Sequence, residues 1–439
     1  MIRNAGTHDE SLRWYRAVFV VTALAITQTT LPVIAQEASS RSQFQDPERE
    51  EYAGRQRHAV QTVRDINLNL LEAVPELTLT EEDQFRRILR DGTQRGTPGF
   101  RILQDGLRWE IYRASDPVYK SSPARFQGLK TRLQNNILDN AGRSIGGRRQ
   151  KLAFRELVCS EALSLLKDLL NNNLQARSLA IELLPSLETI TDTGQRRILD
   201  EAADVLIDVL NDVQQPDAVK LRAAESITLY LQNVEPGAQI EIKFAMAIGS
   251  ELESWLPATG YQVHLIDAIS RVRTAREVIG ATRRPVVIET LVDVIQDKRR
   301  EPLVRCGAAG ALGLVGVDQR INGDPLAWKV TQLSAEMAAA YNQNSGYQYW
   351  STCSLELFFA FKHRDIESQS TQLPNGMLNK WDQSTLVRSA YAQVLPIVAA
   401  VLDRQDQVDA ATIENVNQWV ADNQPNNMRF DPDSLPVNP

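Results

Sequence analysis

The feature that most constrains this sequence is an internal repeat with a period of about 42 residues. Three segments share a basic residue, a small residue three positions later and an apolar run, and their first residues are 43 and 85 residues apart. Because 85 is nearly twice 43, the period predicts another copy near residue 262, and a similar segment begins there. We call the first residue of each copy its anchor. The anchors are Arg177, Lys220, Gln262 and Arg305, with weaker copies at Gln348 and Arg388.

Each repeat has the pattern of two antiparallel helices. In the second copy, apolar residues from Ile198 to Val209 follow helical spacing, and residues 214–217 end that helix. The following helix carries Ala223 and Ala224, and such small residues permit interaxial distances of about 8–10 Å. A single pair cannot bury both of its faces, so the copies must stack. The pattern therefore predicts an all-α fold.

The same pattern, and above all the segment Pro302–Gly313 (PLVRCGAAGALG), resembles the HEAT-repeat family of α-solenoids. The resemblance extends over about residues 150–400 and is closest at 283–316. It implies stacked antiparallel helix pairs with an extended surface for a partner. The segments 322–325 and 373–376 interrupt the spacing, so it implies no regular stack there. The alternative is an ordinary all-α domain whose Ala-rich helices recur by chance.

The first 35 residues have the pattern of an export signal. Basic residues precede a ten-residue apolar run, Ala17–Ile26, and a small-residue site ends at Ala35. Spanning a bilayer takes about 20 residues, so cleavage after Ala35 and export to the periplasm or the medium are predicted. A disordered leader and an uncleaved signal anchor are the alternatives. No later stretch is predicted to span a membrane.

Composition and helix-breaking residues divide the rest of the chain into segments. An irregular helical region is expected before the repeats, with one helix beginning at Thr80 and Asp83 as its capping residue. The predicted organisation is a signal peptide (1–35), a disordered linker (36–54), a helical N-terminal domain or cap (55–148), HEAT-like repeats (149–404), a C-terminal helix (405–421) and a Pro-rich tail (422–439).

Charge argues against a general nucleic-acid binder, because 48 Lys and Arg face 55 Asp and Glu, for a net charge of −7. One basic stretch stands out, since Arg271–Arg305 holds nine basic residues against five acids. It predicts a docking patch for an acidic partner, and the alternative is solvated helix ends. The candidate binding residues in it are Arg271, Arg273, Arg276, Arg299 and Arg300.

An aromatic run is the second candidate. Seven aromatic residues occur in Tyr341–Phe361, although aromatics make up only 6% of the chain. Phe358 and Phe359 are expected to fill the core. Tyr347, Tyr349 and Trp350 flank Gly346 in a predicted connector and are candidate groove residues, because rigid aromatics provide contact area at small entropic cost.

Motifs with local chemistry are missing from the sequence. It contains no nucleophile elbow, zinc-protease motif, phosphate loop or dinucleotide fingerprint. Its histidines are too widely spaced to share a metal, and the glycines from Gly307 to Gly316 suggest close helix packing. Cys159, Cys306 and Cys353 lie in apolar helical patterns and are expected to be buried, with one disulfide left open. No metal or cofactor is predicted.

These observations favour an exported, non-enzymatic scaffold that binds another protein or an extended peptide along a solenoid surface. The alternative is an exported helical-toroid glycoside hydrolase or polysaccharide lyase. Such an enzyme would use Glu356, His363 and Asp365 near Tyr349 and Trp350. Whether the repeats form an open arc or a closed ring is left open by the sequence.

Overall fold

The computed structural model describes residues 68–92, 96–190, 196–234, 236–254, 258–273, 277–279, 282–316, 321–364 and 376–425. These residues belong to one unit that spans Thr62–Pro439. The predicted signal peptide and linker, and most of the predicted tail, lie outside the described residues.

The N-terminal region contains four α-helices, α1 (Leu79–Asp91), α2 (Gly96–Tyr112), α3 (Pro117–Lys120) and α4 (Pro123–Thr131), followed by a π-helix over Arg132–Leu138. The first helix begins one residue before the predicted Thr80. The Thr78 hydroxyl accepts a hydrogen bond from the Glu81 backbone N–H (3.3 Å), and the Glu81 carboxylate accepts one from the Thr78 N–H (2.9 Å). The capping acid is therefore Glu81, and the prediction of Asp83 was wrong.

Five helix pairs follow, which confirms the predicted all-α class. Their members are α5 (Arg148–Leu169) and α6 (Leu174–Leu183), α7 (Asp200–Asn211) and α8 (Asp217–Asn233), α9 (Ala238–Ser254) and α10 (Thr259–Ser270), α11 (Val286–Gln296) and α12 (Pro302–Leu314), and α13 (Asp324–Gln343) and α14 (Trp350–Phe361).

The pairs stack into two layers. The second helices α6, α8, α10, α12 and α14 each contact the next, and the first helices α7, α9, α11 and α13 do the same. The first pair differs, because α5 packs on α2 of the N-terminal region. Buried Leu, Ile, Val and Ala side chains from both layers form one continuous core.

The C-terminal helices end the stack, and here the helix of the second layer comes before the helix of the first layer in the chain. They are α15 (Met377–Lys380), α16 (Thr385–Leu402) and α17 (Ala410–Asp422). Helix α16 continues the second layer against α14, and α17, which follows it in the chain, packs beside α13 in the first layer.

Helix α16 is also the one helix of the described part that is long and apolar enough to cross a membrane, with a mean hydropathy of 1.5 over 18 residues. The expectation that no later stretch has such a composition was wrong. In the structure α16 contacts α13, α14 and α17, as a core helix does.

Two short hairpins are additions that the sequence did not predict. Strand β1 (Glu188–Ile190) pairs antiparallel with β2 (Arg196–Ile198), and β3 (Glu277–Ile279) pairs with β4 (Thr282–Arg284). Each follows the second helix of every other pair, α6 and α10. Three-residue strands are too short to show an alternating pattern. In the described part of the chain, the two hairpins lie two pairs apart.

Glycines set the distance between α12 and α14. A Cβ on Gly313 would lie 2.4 Å from the Phe359 carbonyl oxygen, so only glycine allows this backbone approach. The prediction that these glycines serve close packing is confirmed at Gly313.

Candidate functional site

The anchor side chains are buried ties between helix pairs. The Lys220 ammonium donates to the Leu210 carbonyl and to Glu251 Oε1, both at 2.6 Å. Arg305 Nε donates to the Ile295 carbonyl (2.8 Å) and its Nη2 to Glu336 Oε2 (2.6 Å). Each carbonyl lies in the last turn of the pair's first helix, where the backbone has no intrahelical partner, and each glutamate belongs to the next pair.

The other two anchors use a different arrangement. Arg177 Nε donates to the Asn172 carbonyl (2.5 Å), and its Nη1 donates to Gln215 Oε1 of the next pair (3.2 Å). At the equivalent interface 85 residues later the two residue types are exchanged. The anchor is Gln262, and Arg300 of the next pair donates to its Oε1 (2.5 Å) and to the Leu252 carbonyl (2.6 Å).

Arg300 therefore lies inside an interface between pairs. It is 8% exposed and also lies 3.2 Å from Asp297 Oδ2. The sequence proposed it as a binding residue, but the structure presents little of it to a partner.

The basic stretch of the sequence does not form one patch. Arg271 and Arg273 follow the C-terminal end of α10, whereas Arg299 precedes the N-terminal end of α12. Gly316, just beyond α12, donates its N–H to the Val272 carbonyl, so the C-terminal ends of α10 and α12 are neighbours. The length of α12, about 20 Å, separates Arg299 from the other two. Arg276 lies outside the described residues.

The aromatic candidates surround the start of α14. Trp350 is 4% exposed and donates its indole N–H to the Asn344 carbonyl (2.7 Å), so it fixes the preceding loop from inside. Tyr347 and Tyr349 are half-buried and meet edge to face at 5.5 Å. The Tyr347 hydroxyl donates to Glu301 Oε2 (3.3 Å). We call Arg299, Glu301, Tyr347 and Tyr349 the loop edge, because all four lie at or beside the loops between first and second helices.

A row of carboxylates crosses the second-helix layer, and sequence reasoning missed it. Glu182, Glu225 and Asp267 each occur five residues after an anchor and lie on α6, α8 and α10. The fourth copy has Gly310 at this position. The Glu356 carboxylate of α14 fills that place, since a Cβ on Gly310 would lie 1.9 Å from Glu356 Oε2. We call Glu182, Glu225, Asp267 and Glu356 the acid row.

Basic side chains accompany the acid row. Lys130 Nζ lies 2.6 Å from Glu182, and Arg222 lies 3.5 Å from Glu182 and 2.6 Å from Glu225. His264 approaches Glu225 at 3.6 Å. These five side chains are about one-fifth to one-third exposed.

At the far end of the row, Glu356 is about one-fifth exposed, whereas Asp267 is more open to solvent. Arg271 lies 3.2 Å from Asp267, and Arg364 lies 2.6 Å from Glu356. Burial raises the pKa of Glu356, against the opposing effect of Arg364, and the negative charge of Asp267 raises it further. Both signs of charge thus alternate along one surface.

Trp350 and His363, two of the residues considered for an enzyme, lie at opposite ends of α14. Glu356 belongs to the acid row, and His363 is exposed beyond the C-terminal end of α14. Trp350 begins the same helix, so about 18 Å of helix separates its backbone from that end. Asp365 lies outside the described residues.

Potential metal ligands and thiols are dispersed over the described part of the chain. None of its residues form a group of three His, Cys, Asp or Glu that could hold a metal ion. Cys159, Cys306 and Cys353 are free and buried, as expected, and burial raises the pKa of Cys159 to about 12.

Comparison of the chain with protein family models, with curated proteins and with solved structures gives no match. The acid row and the loop edge are the candidate binding features. Both lie on the helix-pair stack, and both present charged groups at its surface.

Proposed function

We propose that this protein is an exported, non-enzymatic scaffold that binds another protein or an extended peptide along a HEAT-like α-solenoid. The acid row carries the proposal. Its members belong to a layer of second helices that contact one another in sequence, and each carboxylate lies beside a basic side chain. Four helix spacings from α6 to α14 give a surface about 32–40 Å long.

The proposed partner is an extended segment with charges of both signs. A strand rises about 3.3 Å per residue, so ten to twelve residues would match about 32–40 Å. Ion pairs at partly exposed sites contribute about 0–1 kcal/mol each, so a partner can replace them at small cost. Complementary charges along the row would then fix the partner's register.

The loop edge supplies a second contact in this proposal. Arg299 is half-exposed and lies at the same ends of the second helices as Tyr347 and Tyr349. An acidic side chain of the partner could exchange with Asp297, which now holds Arg299 through two bonds of 2.7 and 2.8 Å. Aromatic rings beside an arginine favour protein contacts.

Charge reversal on the acid row tests the proposal. We expect the triple variant Glu182→Lys, Glu225→Lys, Asp267→Lys to lose partners that the native protein retains after crosslinking in the exporting cell. The matched control is Asp204→Lys with Lys243→Asp, an exposed ion pair (2.8 Å) between α7 and α9 in the other layer. Equal partner recovery by the triple variant and the control would contradict a binding role for the acid row.

Export is tested separately. The order of basic, apolar and small residues supports removal of residues 1–35. Mass spectrometry of the protein recovered from outside the cytosol should then give an N-terminus at Gln36. Recovery of the intact chain from the cytosol alone would contradict the export part of the proposal.

A further inference from the structure

A cavity of about 420 Å³ that is widely open to solvent lies in the N-terminal region, outside the acid row and the loop edge. Its walls are Val118, Tyr119, Arg125, Gly128, Leu129 and Arg132, from α3, α4 and the π-helix. Pockets for small molecules have volumes of about 300–1,000 Å³, so this cavity has the size of a ligand site.

The lining is positively charged. It contains two arginines and no acidic residue. Arg132 pairs with Glu110 of α2, but Arg113 also lies 3.5 Å from that carboxylate, so one acid faces two guanidinium groups. Positive charge around the cavity is therefore only partly neutralised.

Arg125 is the second cation. It is exposed, and its side chain makes no hydrogen bond or ion pair with the residues that the structure describes. A guanidinium group offers a planar fork of donors that matches a carboxylate. Arg125 is thus available to a ligand without breaking an existing contact.

The remaining walls are apolar or open. The Tyr119 ring is held by the Arg113 guanidinium at 5.5 Å, and Leu129 is buried behind the cavity. No atom lies within 4 Å of the position a Cβ would take on Gly128, which leaves open space on that side.

The π-helix is the third observation. Arg132–Leu138 continues directly from α4 with a wider turn, and its first residue, Arg132, lines the cavity. Such turns are rare in proteins, and those that occur frequently lie at functional sites. Cavity, unpaired cation and π-helix coincide at one place.

We propose that this cavity binds a small organic anion, with its carboxylate on Arg125 and Arg132 and its apolar body against Tyr119 and Leu129. This site is separate from the scaffold function. It would allow the protein to bind a metabolite-sized acid independently of a protein partner.

Saturation-transfer NMR and calorimetry with three probes test the proposal on the purified mature chain. Phenylacetate carries both charge and ring, inorganic phosphate only charge, and benzyl alcohol only the ring. We expect phenylacetate to bind with a Kd of about 1 mM or below, and the other two at least about tenfold more weakly.

Two variants assign the site, and one serves as control. Arg125→Gln removes the unpaired cation and Gly128→Leu fills the open side, so each should weaken phenylacetate binding about tenfold or more. Arg86→Gln, at an exposed arginine of α1, should leave it unchanged. Circular dichroism verifies that all three variants are folded.

Any of three results would overturn the proposal. The first is no binding of phenylacetate by the native protein. The second is equal binding by both site variants and the Arg86→Gln control. The third is equal affinity for phosphate or benzyl alcohol, which would remove either the apolar or the ionic part of the recognition.

Discussion

At the scale of single residues, Lys380 shows how one side chain can couple folding to pH. Its Nζ donates to the carbonyls of Leu312 (3.2 Å) and Val315 (2.5 Å), where α12 ends. The residue as a whole is half-buried, and burial of the amine lowers its pKa to about 7.

This shift has a definite sign. A lysine in the unfolded chain has a pKa of about 10.4, so between about pH 7 and 10.4 the unfolded state binds more protons. The contribution of Lys380 to stability therefore rises with pH across that interval and is constant below about pH 7. We expect the free energy of unfolding in urea, measured at pH 7, 8 and 9, to lose part of its upward slope in Lys380→Met.

The control for this prediction is Lys298→Met, at a lysine whose side chain is 77% exposed. Its slope should equal that of the native protein. Identical slopes in Lys380→Met and the native protein would show that the carbonyls hold Lys380 charged throughout.

Predictions for single residues were correct where an apolar sequence pattern around the residue indicates that it is buried. The three cysteines lie in apolar patterns and are buried. Arg300 and Trp350 could not be placed in this way, because each combines a polar group with a large side chain. Only the fold shows that Gln262 and the Leu252 carbonyl accept the hydrogen bonds of Arg300, and that a loop carbonyl accepts that of Trp350.

At the scale of elements, the Arg177–Gln215 interface can be converted by mutation to the arrangement of the Gln262–Arg300 interface, in which the anchor is glutamine and the next pair supplies the arginine. Arg177→Gln alone removes the cation that bonds to the Asn172 carbonyl and should destabilise the fold by about 1–3 kcal/mol. Gln215 already donates to the Leu170 carbonyl (3.4 Å), so an arginine there has an acceptor. The double variant Arg177→Gln, Gln215→Arg should recover part of the loss.

A double-mutant cycle in urea measures this coupling. The free energies of unfolding of both single variants and the double variant are compared with that of the native protein. Strict additivity would mean that the two interfaces are not interchangeable.

Helix α12 provides a second test at this scale. In Gly313→Ala the new methyl group would lie 2.4 Å from the Phe359 carbonyl oxygen, a backbone atom that can move only with α14. We expect a loss of about 1–3 kcal/mol in thermal or urea unfolding.

Gly307→Ala is the matched control in the same helix. Its Cβ would be 3.9 Å from Ile266 Cγ2, an ordinary contact, and alanine has the higher helix propensity. This variant should be unchanged or more stable by up to about 1 kcal/mol. Equal effects at both positions would show that α12 and α14 can separate.

The elements themselves were largely predictable, because a period of about 42 residues and apolar faces define helix pairs. The two hairpins were not, since their pairing involves three residues per strand and leaves no periodic signal. The start of α1 was misplaced because Thr78 and Thr80 are equivalent as isolated capping residues. The reciprocal bond with Glu81 selects Thr78.

At the scale of the whole molecule, anchors tie each pair to the next, so stability should be distributed along the stack. In Lys220→Met the Glu251 carboxylate loses its cation in a buried position, with the Tyr261 hydroxyl (3.0 Å) still donating to it. Removing one partner of a buried ion pair costs about 3–5 kcal/mol. We expect faster hydrogen exchange in α8, α9 and α10 and little change in α1 and α2.

Hydrogen exchange with mass spectrometry provides the measurement, and Lys243→Met, from an exposed pair, provides the control. Uniform acceleration along the chain would indicate that the stack opens as one cooperative body.

The acid row shows what the sequence could and could not reveal at this scale. Three of its members recur five residues after an anchor and could have been recognised from the repeat. Glu356 could not, because it comes from another helix and occupies the space that Gly310 leaves. The basic stretch does not form one patch, because its arginines are close in sequence but lie at opposite ends of α12.

The features that recur after 85 residues also imply how such a chain can change its length. The Arg–Gln exchange alternates with the Lys220–Glu251 and Arg305–Glu336 ties, so neighbouring interfaces are of two kinds. Loss of one helix pair would join surfaces that do not match. Loss or duplication of the two pairs from α9 to α12 would preserve this alternation, because Lys220 would then meet Glu336, or Arg305 a second Glu251. Gene duplication in blocks of two pairs is therefore the step by which this architecture can grow.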